Sequence, residues 1–203
     1  IIFPSSPGEN IKIFKNNNGQ FEEVAQQSGI VDQKESKSVL CADYDNDGDR
    51  DIFILNIDGQ NKFYRNNGSI FEDITNTCGI YMSDSIHSTA AIMFDFNKDG
   101  LLDLYAGVYS GFGNNIQYTN HMYKNTGNGT FQDITFAAGC GNLGNKVLAM
   151  AVIDYNNDGW DDIYVGNDFH ETDYYYVNNG NGTFTESGAS HFRHYSRFSM
   201  GND

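Results

Sequence analysis

A nine-residue acidic stretch, Asp43-Tyr44-Asp45-Asn46-Asp47-Gly48-Asp49-Arg50-Asp51, comes back twice in this chain of 203 residues. No other feature limits so strongly what the chain can fold into. Asp95-Phe96-Asn97-Lys98-Asp99-Gly100-Leu101-Leu102-Asp103 and Asp154-Tyr155-Asn156-Asn157-Asp158-Gly159-Trp160-Asp161-Asp162 keep oxygen-bearing side chains at positions 1, 3, 5 and 9 and glycine at position 6. Alternate residues of a tightly turned loop can aim three carboxylates or amides at one centre. A hard cation such as Ca²⁺, which takes six to eight oxygens at about 2.3–2.6 Å, suits that arrangement. The pattern predicts three calcium sites. Their side-chain ligands would be Asp43, Asp45, Asp47 and Asp51, then Asp95, Asn97, Asp99 and Asp103, then Asp154, Asn156, Asp158 and Asp162. The carbonyls of Asp49, Leu101 and Trp160 at position 7 would add to each shell.

An EF-hand opens its loop in the same way but closes it with glutamate at position 12, between two helices. Position 12 here is Ile54, Ala106 or Val165. Position 9 leads into Asp-Ile-Phe-Ile-Leu, Asp-Leu-Tyr-Ala-Gly-Val and Asp-Ile-Tyr-Val-Gly, which are short, β-branched and aromatic and read as strands. A solvated acidic turn without metal is the plainer reading of one such loop, but three copies with one spacing argue against it.

The loops start 52 and 59 residues apart, a period that marks a propeller or solenoid. Each period can be written as strand a (Val39 to Ala42), acidic loop, strand b (Ile52 to Asn56), strand c (Lys62 to Arg65), an Asn-Gly turn and strand d (Phe71 to Thr75). Four antiparallel strands per period are a propeller blade. The expected fold is therefore all-β: about three complete blades with partial blades at both ends, a fragment of a larger propeller. The divisions fall at 1–37 (strands c and d of a preceding blade), 38–88, 89–146, 147–187 and 188–203 (the start of a further blade, with a strand at Phe198). With Ile1 where an initiating methionine would stand, the chain is expected to be an excised piece of something longer.

Composition agrees with many short strands: 15 Phe, 13 Tyr and 22 Gly against two Pro. The net charge of −15 comes from 27 acidic and 12 basic residues, and 12 of the acids sit in the three loops, so the acidity is mostly local. Three Ca²⁺ would cancel six charges. No basic patch offers itself to nucleic acid, and no apolar run reaches the roughly 20 residues of a membrane span. Cys41, Cys78 and Cys140 form no CxxC pair and are expected as buried packing residues, a disulfide between two of them being the alternative.

The chain resembles the FG-GAP/VCBS repeat superfamily in Asp-x-Asp/Asn-x-Asp-Gly-x-x-Asp leading into a strand, in Asn/His-x-Phe/Tyr-x-Asn-Asn/Thr-Gly and in Phe-x-Asp-Ile-Thr. Its loops are similar to those of integrin α-subunit propellers. Gly166-Asn-Asp-Phe169 and Ser199-Met-Gly-Asn-Asp203 bring it closer to secreted bacterial VCBS proteins and the cartilage-acidic-protein (ASPIC) group. The resemblance implies a calcium-stabilised propeller, secreted or on the cell surface, used for adhesion or for recognition of a protein or other ligand. Thr185 to Arg197 departs from the pattern, since the Asp-Ile-Thr-x-x-Ala-Gly ending is missing there.

No Gly-x-Ser-x-Gly, P-loop or dinucleotide fingerprint is present, which favours a binding module over an enzyme. A carbohydrate-binding or polysaccharide-cleaving propeller is the alternative. Asp161 and Asp162 could make a catalytic pair, but neighbours on a strand point to opposite faces. His191 and His194 are too few for a zinc site, and Tyr174-Tyr-Tyr176 reads as core packed between blades.

In an up-and-down blade the acidic loops and Asn-Gly turns share one face, and the b–c and d–a connections share the other. The seven extra residues of the second period fall between strands b and c. Tyr109, Phe112, Tyr118, Phe169 and His170, with His87 and Lys146, are expected to gather on that second face. A protein or glycan ligand is expected there, opposite the calcium.

Overall fold

The computed structural model describes residues 1–68, 70–83, 86–111, 117–169, 171–194 and 199. Among the described residues, fifteen short strands form four antiparallel sheets. The leading sheet is β1 (Ile2–Phe3), β2 (Lys12–Asn17) and β3 (Gln20–Glu23). Blade one is β4 (Ser36–Ala42), β5 (Asp51–Asn56), β6 (Lys62–Asn66) and β7 (Phe71–Asp73). Blade two is β8 (Ser88–Phe94), β9 (Asp103–Val108), β10 (His121–Asn125) and β11 (Phe131–Asp133). Blade three is β12 (Val147–Ile153), β13 (Asp162–Asn167), β14 (Tyr174–Asn178) and β15 (Phe184–Glu186). In each blade the strands pair in sequence order, as successive hairpins require. These are propeller blades, and among the described residues they do not close a ring.

The innermost strands β4, β8 and β12 lie next to one another. The strands behind them are buried on both sides: every residue of β5 and of β9 is buried. A strand with both faces covered reads as a continuous apolar run, which is why Asp-Ile-Phe-Ile-Leu does not alternate. The core lies between blades. One cluster joins blade one to blade two through Phe53, Phe63, Leu104 and Phe131, and another joins blade two to blade three through Phe96, Tyr105, Ile163 and Tyr176.

The first two seams are closed by the same backbone contact. The N–H of Phe71 donates to the Ser28 carbonyl (2.7 Å), and that of Phe131 to the Cys78 carbonyl (2.7 Å). Gly79, at φ +81°, lies where a Cβ would sit 2.4 Å from the Phe131 carbonyl oxygen. Only glycine allows that approach.

Four expectations are corrected. The leading sheet has a third strand, β1, paired Ile2↔Ile13 and Phe3↔Lys12; two residues carry too little pattern to announce a strand. Strand a begins earlier than Val39, at Ser36, with an irregularity between Ser36 and Ser38. The outermost strand stops at Asp73 rather than Thr75, and at the equivalent place in blade two the chain turns into a one-turn helix, α1 (Thr135–Ala138). A second, α2 (Gly188–His191), fills the departing segment after β15. Cys41 is exposed, whereas Cys78 and Cys140 are buried, and all three are free thiols. Cys41 shares its face of the strand with Val39, which packs against the cluster under the leading sheet, but that cover does not extend as far as Cys41.

Candidate functional site

The three acidic loops join the first two strands of their blades and share one turn geometry. Position 6 is left-handed in all three, at Gly48 (φ +95°), Gly100 (+86°) and Gly159 (+87°). Position 4 is left-handed too, at Asn46 (+58°), Lys98 (+59°) and Asn157 (+56°). Asparagine tolerates that conformation better than most side chains. Its presence at position 4 in two loops was the signal in the sequence, and it was missed.

The first carboxylate of each loop is held by the backbone it must turn. Asp43 accepts from the N–H groups of Asp47 (3.1 Å) and Gly48 (3.0 Å), Asp95 from those of Asp99 (3.0 Å) and Gly100 (2.8 Å), and Asp154 from those of Asp158 (3.1 Å) and Gly159 (2.9 Å). The position 5 carboxylates of Asp47, Asp99 and Asp158 accept from the N–H of position 7, which is Asp49, Leu101 and Trp160. Asn97 and Asn156 donate to Asp99 (3.0 Å) and Asp158 (2.8 Å).

Position 9 ties the loop to the third strand. One oxygen of Asp51, Asp103 and Asp162 accepts from the backbone N–H of Asn66 (2.8 Å), Asn125 (2.7 Å) and Asn178 (2.8 Å). The second oxygen differs from blade to blade. Asp51 Oδ2 accepts from Tyr44 N–H (3.0 Å) and Asp162 Oδ2 from the Tyr175 hydroxyl (2.5 Å). Asp103 Oδ2 is buried and accepts nothing, and Asp45 Oδ1 is in the same condition.

A buried carboxylate oxygen without a donor is costly, and a cation is one of the few things that relieve it. Oxygens of Asp43, Asp45 and Asp51 lie within 4.8 Å of one another. Two ligands on opposite sides of a calcium ion stand about 4.6–5.2 Å apart. The donor set, all oxygen and mostly anionic, fits a hard cation. Burial, together with the carboxylates around it, raises the pKa of Asp51 to about 6 and that of Asp103 to about 7. Asp45 is raised too, by burial and then by Asp47.

Asn66, Asn125 and Asn178 were not recognised as functional in the sequence, where they read as turn residues. Besides the N–H bond to position 9, Asn125 Nδ2 donates to the Tyr44 carbonyl of blade one (2.7 Å) and Asn178 Nδ2 to the Phe96 carbonyl of blade two (2.8 Å). The first and second loops are thereby each tied to the next blade. The loops also touch directly: Asn46 Nδ2 donates to the Gly100 carbonyl (2.9 Å), and Lys98 Nζ stands 4.2 Å above the Trp160 ring.

On the opposite face the structure brings together part of the expected group. Tyr109 bridges to Lys146 and gives its hydroxyl to Asp168 Oδ2 (2.9 Å). Lys146 Nζ stands 5.4 Å from the Phe169 ring and 3.5 Å from Glu171. Phe169 is 48 % exposed and left-handed at φ +57°. Tyr118 packs against the core between blades one and two, and His87 Nδ1 bonds the Ile57 carbonyl. Phe112, His170 and the strand expected at Phe198 lie outside the described residues. Of 195–203 only Ser199 is described, bonded to Asn167 and Asp173. His191 faces solvent with its Nδ1 on the Ser187 carbonyl.

The model of the FG-GAP-like repeat matches residues 1–54, 43–106, 108–165 and 154–201. This chain is a member of the FG-GAP-like repeat family. The four matches run along the leading sheet and the three blades of the FG-GAP-like chain. No curated protein matches its sequence. Among solved structures it is similar to a lectin from Agrocybe aegerita described as recognising non-reducing terminal N-acetylglucosamine, with 19% identity and a TM-score of 0.52. The alignment covers 91% of this FG-GAP-like chain and 47% of the lectin, so the chain spans about half the lectin's length. No described helix is long and apolar enough to cross a membrane.

Proposed function

We propose that these blades belong to a calcium-stabilised extracellular propeller that serves as a binding module, for adhesion or recognition of a protein ligand, rather than as an enzyme. The observation that carries the calcium reading is the pair of buried, donorless oxygens, Asp103 Oδ2 and Asp45 Oδ1, in two loops of one geometry. Asp43, Asp45, Asp47 and Asp51 would hold one ion, Asp95, Asn97, Asp99 and Asp103 a second, and Asp154, Asn156, Asp158 and Asp162 a third. The carbonyls of Asp49, Leu101 and Trp160 would contribute to them. Bound there, calcium supplies charge neutralisation that lets each first hairpin close. Sites of this kind in extracellular modules work at about 10⁻⁴–10⁻³ M calcium, a concentration found outside cells.

The b–c and d–a face is the favoured surface for a macromolecular ligand. Repeated loops of one geometry suit a structural part, whereas the opposite loops differ between blades and set Tyr109, Lys146, Asp168 and Phe169 together. The likeness to a lectin favours a second reading, a carbohydrate ligand. Melting the protein in calcium, in magnesium and in chelator tests the scaffold, and an unchanged midpoint across all three would sink it. Screening the calcium-loaded protein on a glycan array and against extracellular proteins, with Phe169→Ala and Tyr109→Phe beside it, tests the face. Ligand binding that both variants leave intact would place recognition elsewhere.

A further inference from the structure

At the seam between blades two and three, on the side of the acidic loops, lies a groove of about 420 Å³. It falls in the 300–1,000 Å³ range of small-ligand sites. One wall is apolar, from Ile134 and the exposed Ala137 of α1, with Ala138 buried behind them. Trp160 belongs to the other blade, and its indole is backed by Lys98 Nζ at 4.2 Å. Polar groups complete the lining: Asn97, Asn181 and the Lys124–Asp99 ion pair, 3.3 Å across.

The groove is a product of the repeat. A second one of about 430 Å³ lies between the leading sheet and blade one. There Lys15, Val24, Gln27 and Ser28 hold the repeat positions of Lys124, Ile134, Ala137 and Ala138. The difference between blades lies in loop position 7, which is Asp49 in blade one, Leu101 in blade two and Trp160 in blade three. Blade three alone supplies an aromatic ring there.

We propose that the groove beside Trp160 binds a single neutral sugar residue, the terminal pyranose of a glycan. A pyranose presents C–H bonds on its faces and hydroxyls around its rim. The former suit an indole and the exposed methyl of Ala137 beside Ile134, and the latter suit the Asn181 amide and the Lys124–Asp99 ion pair. The assignment rests on the carbohydrate reading above and moves the sugar from the loop face to the calcium side. Binding there depends on calcium, since Asn97, Asp99 and the backbone of Trp160 belong to the metal loops.

Trp160 is the chain's single tryptophan, so once its own loop is saturated with calcium its emission reports on this groove. The full chain, saturated with calcium, is titrated with N-acetylglucosamine, glucose, galactose and mannose, following tryptophan emission and calorimetric heat in parallel. At least one sugar should give a saturable emission change that matches the heat. Trp160→Ala should weaken its calorimetric affinity tenfold or more. Ala137→Phe, at an exposed helix position, should block the groove without disturbing the core, with a similar loss. Sugar binding seen by calorimetry that leaves emission unchanged and is lost in Phe169→Ala overturns the groove but keeps the carbohydrate reading. Absence of binding for the whole panel overturns both.

Discussion

The side-chain amide of Asn178, at the end of β14, donates a 2.8 Å hydrogen bond to the backbone carbonyl of Phe96 in the acidic loop of the preceding blade. Asn178 Nδ2 also reaches the Asp161 carbonyl (3.2 Å), and its backbone N–H holds Asp162. One buried residue thus joins its own loop, its own third strand and its neighbour's loop. Asn178→Ala strands the carbonyl of Phe96 away from water, and an unsatisfied buried group costs about 1–3 kcal/mol. Urea unfolding of this variant should show that loss, with Asn125→Ala close to it. A change of under about 0.5 kcal/mol would mean the seam does not depend on these amides.

Asp103→Asn should act in opposite directions with and without calcium. The amide oxygen can still accept from Asn125 N–H, but the buried charge is gone. In chelator the variant should melt at the same temperature as the parent or higher. In calcium it should lose the contribution of one site, about 2.7 kcal/mol when free calcium is one hundred times the dissociation constant. Destabilisation equal in both conditions would assign Asp103 a purely structural role.

The metal-free protein should lose stability as pH rises. Asp51 and Asp103 titrate near 6 and 7 when folded, against 3.8 for a free carboxylate, chiefly because they are buried. The folded state therefore holds protons that the unfolded chain has released. The corresponding stability is complete below about pH 4 and disappears as pH climbs through about 6 and then about 7. Calcium binds the ionised form, so saturating calcium should flatten or reverse the slope. Thermal melts followed by circular dichroism from pH 4 to 8 check this, and a metal-free midpoint that rises over that range contradicts it.

Much of this architecture was legible in the sequence because the repeat states it three times. The spacing of Asp43, Asp45, Asp47 and Asp51 located the loops, and Asn-Gly turns placed the outer hairpins. What stayed hidden depends on contacts between blades. Asn66, Asn125 and Asn178 look like turn residues until the neighbouring loop is in place, and Trp160 reads as a loop filler until the seam gives it a wall. The exposed thiol of Cys41 went unrecognised for a related reason. A strand pattern shows which residues share a face, but not how fully a neighbour covers it.

The contacts of Asn46 with Gly100 and of Lys98 with Trp160 bear on how the proposed calcium ions would be taken up. Each runs from the fourth residue of one loop to the sixth or seventh of the next. A loop stiffened by its ion therefore presents its neighbour with part of that neighbour's turn already set. By reciprocity, filling the neighbour favours the first loop to the same degree. The three sites should fill cooperatively, with a binding curve steeper than that of independent sites. Asn46→Ala should break the link between the first two loops and flatten the curve while leaving every calcium ligand in place.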